Sequence, residues 1–194
     1  WRDGTQDAKE VPGIKSFILD NPAAAGTIGG IDQVANTWWR NRADLTIAGV
    51  ATLDNQAVVT KLQNEMRQLR RYGGRPDLML AGSDMMDQIE KELRHKGNYT
   101  DTGWAKNGGT IDASVADVSF KGIEIQYDPT LDDLNEAKRL YVMDCKVIHP
   151  MTITGVKDHK PARPADKYVD YTAQTWVGGL VCRQRNANGV YAFT

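Results

Sequence analysis

The clearest periodicity in the chain lies between residues 54 and 76. Val58, Val59, Leu62, Met66 and Leu69 recur at spacings of three and four, which gathers them on one stripe of a helix. Lys61, Gln63, Asn64, Arg67, Gln68 and Arg71 fill the opposite face. Asp54 is the expected cap, Gly73-Gly74 the stop, and Pro76 keeps the helix from resuming. A short apolar run at 77–81, bounded by Pro76 and Gly82, predicts a buried strand. Ser83 then suits the N-cap of a second helix through Lys96, with Met86, Ile89 and Leu93 on one face and Gly97 ending it. Arg67, Arg70, Arg71 and Arg75 cluster where the first helix ends. Cations there suit the helix dipole, and a subunit contact is the functional alternative.

Elsewhere the period is two. Ile123, Ile125 and Tyr127 alternate with Glu124 and Gln126, after a shorter strand at 118–120 and before a break at Asp128-Pro129. Two further strands are expected at 139–145 and 147–150, and 157–167 reads as a polar connection. A long extended segment covers 168–183. The turn Asn186-Ala187-Asn188-Gly189 predicts that it folds back on 190–193 as a C-terminal hairpin. Residues 1–52 are irregular chain with brief strands, punctuated by Asp3-Gly4, Pro12-Gly13, Asn21-Pro22 and Gly29-Gly30. Residues 97–116 read as an exposed, mobile loop. A central pair of helices among scattered strands predicts an α+β fold.

Composition narrows the function. Twenty-four basic against 25 acidic residues leave a net charge of -1, without the basic excess of a nucleic-acid binder. No run approaches the roughly 18 apolar residues of a membrane span. The two cysteines, Cys145 and Cys182, have no CxxC partner and are expected as buried free thiols in a reducing compartment. His95, His149 and His159 are not spaced to share a metal. Asp132, Asp133 and Glu136 form an acidic knot that reads as a solvated turn, with ion binding the alternative. No glycine-rich phosphate loop and no nucleophile elbow occurs. The expectation is therefore no enzyme, and no catalytic, metal-ligating or cofactor-binding residue. The chain opens at Trp1 without an initiator Met, as expected of a piece of something longer.

One segment, 27–42, stands out. Gly29 and Gly30 permit a tight turn with positive φ. The adjacent Trp38 and Trp39 cannot both face one side of an extended strand. Each can bury ~150–250 Å², more than an irregular loop hides by itself. Either both tuck under their own chain, or with Arg40 they anchor another subunit. Gly29, Gly30, Trp38, Trp39 and Arg40 are thus the candidate packing or assembly residues.

In order along the chain, Asp3-Gly4-Thr5, the piece at 13–18, the piece at 27–32 and Trp38-Trp39-Arg40-Asn41 resemble major capsid proteins of tailed double-stranded-DNA phages. The resemblance continues through the long helix, residues 75–80, the second helix, 120–123 with Tyr127-Asp128, 141–144, and 177–180 two residues ahead of Arg183. It covers nearly the whole chain. It implies a Hong Kong 97-like coat fold, with an axial domain inserted in a peripheral domain. Residues 1–52 and 147–194 would be peripheral, and 53–146 would form most of the axial domain. The family's N-terminal arm, extended loop and spine helix are not evident, so the fold would be incomplete at its N-terminus. The implied role is a structural subunit of an icosahedral phage or prophage shell, assembled in the bacterial cytoplasm and located in the virion capsid. Its implied partners are its own copies, with scaffold, portal or decoration proteins in addition; packaged DNA would be met only non-specifically, and no membrane. The alternatives are an encapsulin-like compartment shell, an enzyme completed by missing N-terminal residues or a neighbouring subunit, and a binding module on the C-terminal strands.

Overall fold

The structure, a computed structural model, describes residues 11–48, 57–95, 119–159 and 172–194. The expected Asp54 cap, the loop at 97–116 and the polar connection beyond His159 fall outside these residues. A short 3-10 turn at Ile14–Ser16 leads to strands β1 (Thr27–Ile28), β2 (Ile31–Asp32) and β3 (Arg42–Ile47). Helix α1 (Ala57–Leu69), strand β4 (Leu78–Ala81) and helix α2 (Ser83–His95) follow. Then come β5 (Ser119–Phe120), β6 (Ile123–Tyr127), the short helix α3 (Pro129–Asp133) and β7 (Arg139–Met143). The chain ends with β8 (Ile148–His159), β9 (Ala173–Cys182) and β10 (Gly189–Phe193). The mixture is α+β.

Six strands form one sheet in the order β3-β10-β7-β4-β6-β5. Neighbours β3/β10 and β4/β6 are parallel, and the other pairs run antiparallel. The sheet draws on all three stretches of the chain, because β3 and β10 join strands of the middle stretch along one edge. Both faces are covered. On one face Met79, Leu140, Val142 and Tyr191 meet Val58, Leu62, Met66, Leu69, Met85 and Ile89 of α1 and α2. On the other, Tyr141, Met143 and Val190 meet Phe17, Ile18, Ile28 and Leu131. This explains why β4 is a continuous apolar run rather than an alternating one: Met79 and Ala81 face the helices while Leu78 and Leu80 back onto the second cluster.

Remote carboxylates accept hydrogen bonds from the first turns of both helices. The amides of Val58 and Val59 in the first turn of α1 donate to Glu92 of α2, at 3.2 and 2.9 Å. Glu92 is only 1% exposed, and Gln88 Nε2 donates to it as well, at 3.3 Å. Such bonds satisfy orphan helix-end donors and place negative charge at the positive end of the dipole. The first intrahelical bond of α2 runs from the Met86 amide to the Gly82 carbonyl, so Gly82 and not Ser83 takes the N-cap position. The Ser83 amide donates instead to Asp132 Oδ1, at 3.0 Å. A Cβ on Gly82 would lie 2.4 Å from the Ala137 carbonyl oxygen, so the close approach of the backbone just before β7 leaves room for hydrogen only.

The C-terminal hairpin is corrected. Strand β9 pairs antiparallel with β8, while β10 leaves through a 3-10 turn at Arg185–Ala187 and inserts between β3 and β7. Asn188 does not make a two-residue hairpin turn. Its side chain is buried, accepting from the Asp144 amide at 2.9 Å and donating to the Gln184 carbonyl at 3.0 Å. Strand β8 also runs on to His159, past the expected end at Pro150. Of the thiols, Cys145 is exposed rather than buried, since it lies beyond the end of β7 at Met143. Cys182 is half-buried, and burial pushes its thiol up to about 11.

Removing the shared cap should be costly. Glu92→Ala is expected to lower unfolding stability by about 2 kcal/mol, because it strands two helix-end amides in the core. Asp87→Ala, on the exposed side of α2, should stay within about 0.5 kcal/mol. Urea unfolding midpoints of the two variants make the comparison, and equal losses would contradict it.

Candidate functional site

The segment singled out by sequence folds into a small layered unit. Ile28 pairs with Ile31 across Gly29 and Gly30, whose φ values are +63° and +78°. Two successive positive φ angles are what a two-residue primed turn needs, and glycine meets them without strain. Trp39 lies behind this hairpin, and its indole N–H donates to the Ile28 carbonyl at 3.2 Å. Trp38 projects the other way and is 54% exposed. The two rings meet edge to face, 6.0 Å between centroids. A 3-10 turn at Thr37–Trp39, rather than a strand, is what separates them.

Beneath Trp39 sits a residue the sequence analysis passed over. Arg185 is fully buried. Its Nε donates to the Phe17 carbonyl at 2.7 Å, and its two terminal nitrogens donate to Gln33 Oε1 at 3.3 Å and Asn41 Oδ1 at 3.0 Å. The guanidinium also lies over the Trp39 ring, 5.9 Å from its centroid. Burial lowers its pKa, but a guanidinium stays charged in any ordinary medium. Asn41 passes the connection on, donating to the Leu19 carbonyl at 2.8 Å and accepting from the Leu19 amide at 3.1 Å. Arg185 falls between the expected extended segment at 168–183 and the expected turn at 186–189, and nothing in the local pattern marks it as internal.

Trp38 and Arg40 line a groove of about 410 Å³ between the 3-10 turn, β3 and the end of α1. Arg40 spans its own loop, with Nε on the Gln33 carbonyl at 2.6 Å and a terminal nitrogen on the Val34 carbonyl at 3.2 Å. Arg42, also on the lining, grips Glu65 of α1 with two bonds of 2.8 and 2.9 Å, and this hydrogen-bonded carboxylate raises its pKa. Arg71 and Tyr72 supply the far wall, the guanidinium 5.7 Å from the tyrosine ring. Among the described residues, three arginines line the groove and no acidic residue does. Asn186 forms part of its floor, donating to the Trp38 carbonyl at 2.9 Å.

A second surface was only half visible in the sequence. Strands β8 and β9 make a two-stranded ribbon that pairs with no third strand among the described residues. Its root packs on the core through Ile148, Leu180 and Cys182. Beyond the root, Met151, Ile153, Val156, Trp176 and Val177 are 43–76% exposed. Register shifts between Thr152 and Lys157 break the simple alternation, which is why the apolar positions of 151–156 do not show as one face.

The acidic knot is structural. Asp132 caps α2 and accepts the Tyr127 hydroxyl at 2.6 Å, and this bond, then the Ser83 amide, holds it below the usual carboxylate range. Glu136 pairs with Lys15 at 2.6 Å and with Arg139 at 3.3 Å. His149 lies in β8, His159 bonds Thr175 Oγ1 at 2.9 Å, and His95 is the last residue of α2. Among the described residues no three His, Cys, Asp or Glu side chains group as metal ligands, and no helix is long and apolar enough to cross a membrane.

A family model described as "SU10 major capsid protein" matches residues 2–194. Among solved structures, the chain resembles one in the capsid asymmetric unit of cyanophage A-1(L), with a TM-score of 0.54 and 13% identity. That match covers 88% of this chain and 56% of the other, so the present chain spans little more than half of its neighbour's length. No curated protein matches.

The two tryptophans should separate experimentally. Trp39→Ala is expected to cost about 2–3 kcal/mol in chemical unfolding, since it opens a gap beside Arg185 and under the hairpin. Trp38→Ala should change that stability by no more than about 0.5 kcal/mol. Equal effects would contradict the placement of the two rings.

Proposed function

The chain belongs to the SU10 major capsid protein family, and from that premise we propose that it is a structural subunit that associates with its own copies into the capsid of a phage or prophage. The reading extends to a Hong Kong 97-like coat fold, with 53–146 supplying most of an axial domain and the flanking stretches a peripheral one. The likeness to the cyanophage capsid chain supports it. In this proposal the protein assembles in the bacterial cytoplasm and ends in the virion. Scaffold, portal and decoration proteins are its further partners, and packaged DNA is touched without sequence preference, as suits a net charge of -1.

The observation that carries self-association is the β8–β9 ribbon. An isolated two-stranded ribbon is marginal in water, and monomers seldom leave several large apolar side chains together on one projection. Both outer edges of the ribbon also lack a partner strand among the described residues. Such edges invite pairing with another chain. Repeated over a closed lattice, contacts that are individually weak become collectively strong.

The double substitution Ile153→Asp with Val156→Asp is expected to leave the urea midpoint within error, because both residues stand clear of the core. The same variant should fail to form the large species expected of the unsubstituted protein in sedimentation velocity. Undiminished assembly of the folded double variant would remove the ribbon from the interface.

A further inference from the structure

The groove beside Trp38 and the turn after β6 are complementary in charge, and each exposes aromatic side chains. The groove offers Arg40, Arg42 and Arg71 with the exposed rings of Trp38 and Tyr72, the latter two 54% and 56% exposed. Arg42 is matched by Glu65, but Arg40 is held by backbone carbonyls and Arg71 rests on a ring, so the lining keeps an excess of positive charge. The turn carries Asp128, Asp132 and Asp133, with Glu124 on β6 before it, and no Lys or Arg occurs between residues 122 and 137. Among these carboxylates stand Tyr127 and Leu134, 52% and 43% exposed.

The two features cannot meet within one molecule. The groove is built on β3, the first strand in the sheet order, and the acidic turn follows β6, the fifth. Four strand spacings, roughly 19 Å, lie between them. A surface and its complement on opposite sides of one subunit define a heterologous contact, which repeats head to tail and closes into a ring when the rotation allows. A contact of a patch with itself would instead bring arginines against arginines.

We propose that the groove lined by Trp38, Arg40 and Arg71 receives the Tyr127–Leu134 turn of a second copy of this chain, with Asp133 directed at Arg71 and the two exposed tyrosines and Trp38 excluding water around the charges. Aromatic and arginine side chains are those that anchor interfaces, and buried complementary charges fix register and partner choice. This proposal rests on the reading of the chain as a self-associating subunit and names the faces that meet.

Charge exchange tests it on the full-length protein by sedimentation velocity. Arg71→Glu alone and Asp133→Lys alone should each weaken association by on the order of tenfold or more, through like charges brought together. An equimolar mixture of the two variants should recover association, because each variant's altered face then fits the other's. The double variant should recover it alone. Normal assembly of both single variants would overturn the proposal, as would loss in both without recovery in the mixture or the double variant. Circular dichroism of each variant establishes that a loss is not misfolding. If the unsubstituted protein itself never associates, the capsid reading fails. If it associates and the exchanges have no effect, only this interface fails.

Discussion

One buried guanidinium fixes how the two ends of the described chain come together. Arg185 enters the interior in the turn between β9 and β10 and is surrounded by oxygens from residues 17, 33 and 41 and by the face of Trp39. An ion stripped of water is costly unless polar groups replace its hydration. Here the replacements are a carbonyl and two side-chain amides contributed by an irregular segment. That segment holds few regular elements of its own, so the arginine and the loop depend on each other.

The sheet follows from the same closure. With the 185–188 turn held, β10 is directed between β3 and β7 rather than back along β9. Placing β10 there puts Tyr191 under α1, where its hydroxyl reaches Glu65 at 3.3 Å, and sets Glu65 to receive Arg42 from β3. Asp44 and Lys61 add an ion pair of 2.6 Å at the same junction. The hydrogen bond to Asp44 raises the Lys61 pKa against the effect of burial. Carboxylates drawn from elsewhere in the fold then close both helices. The body is thus tied by polar contacts between distant residues, laid over two apolar layers.

Local pattern revealed the elements that local physics determines. The stripe from Val58 to Leu69 gave α1, the apolar run ending at Ala81 gave β4, and the alternation at 123–125 gave β6, because burial periodicity is written into neighbouring residues. Asn188-Gly189 misled for the complementary reason. The dipeptide favours a hairpin by itself, but a buried Asn188 bonded to Asp144 and Gln184 outweighs that preference. Arg185 and Glu92 could not be found by such reasoning, since their roles rest on partners 144 to 168 and 33 to 34 residues away. Of the candidate site, Gly29-Gly30 was legible as a turn. That Trp39 faces inward and Trp38 outward required the 3-10 turn to be seen.

What emerges is a braced body with unsatisfied surface: a projecting ribbon, a basic aromatic groove and an acidic turn at the far side of the sheet. For a family of shell proteins, rigidity in the body and incompleteness at the surface belong together, because a lattice needs identical units with unmet contacts. The most direct measurement is electron microscopy of the full-length protein expressed in bacteria. The account predicts closed shells or rings of capsomer size; particles that remain monomeric at every protein concentration would contradict it.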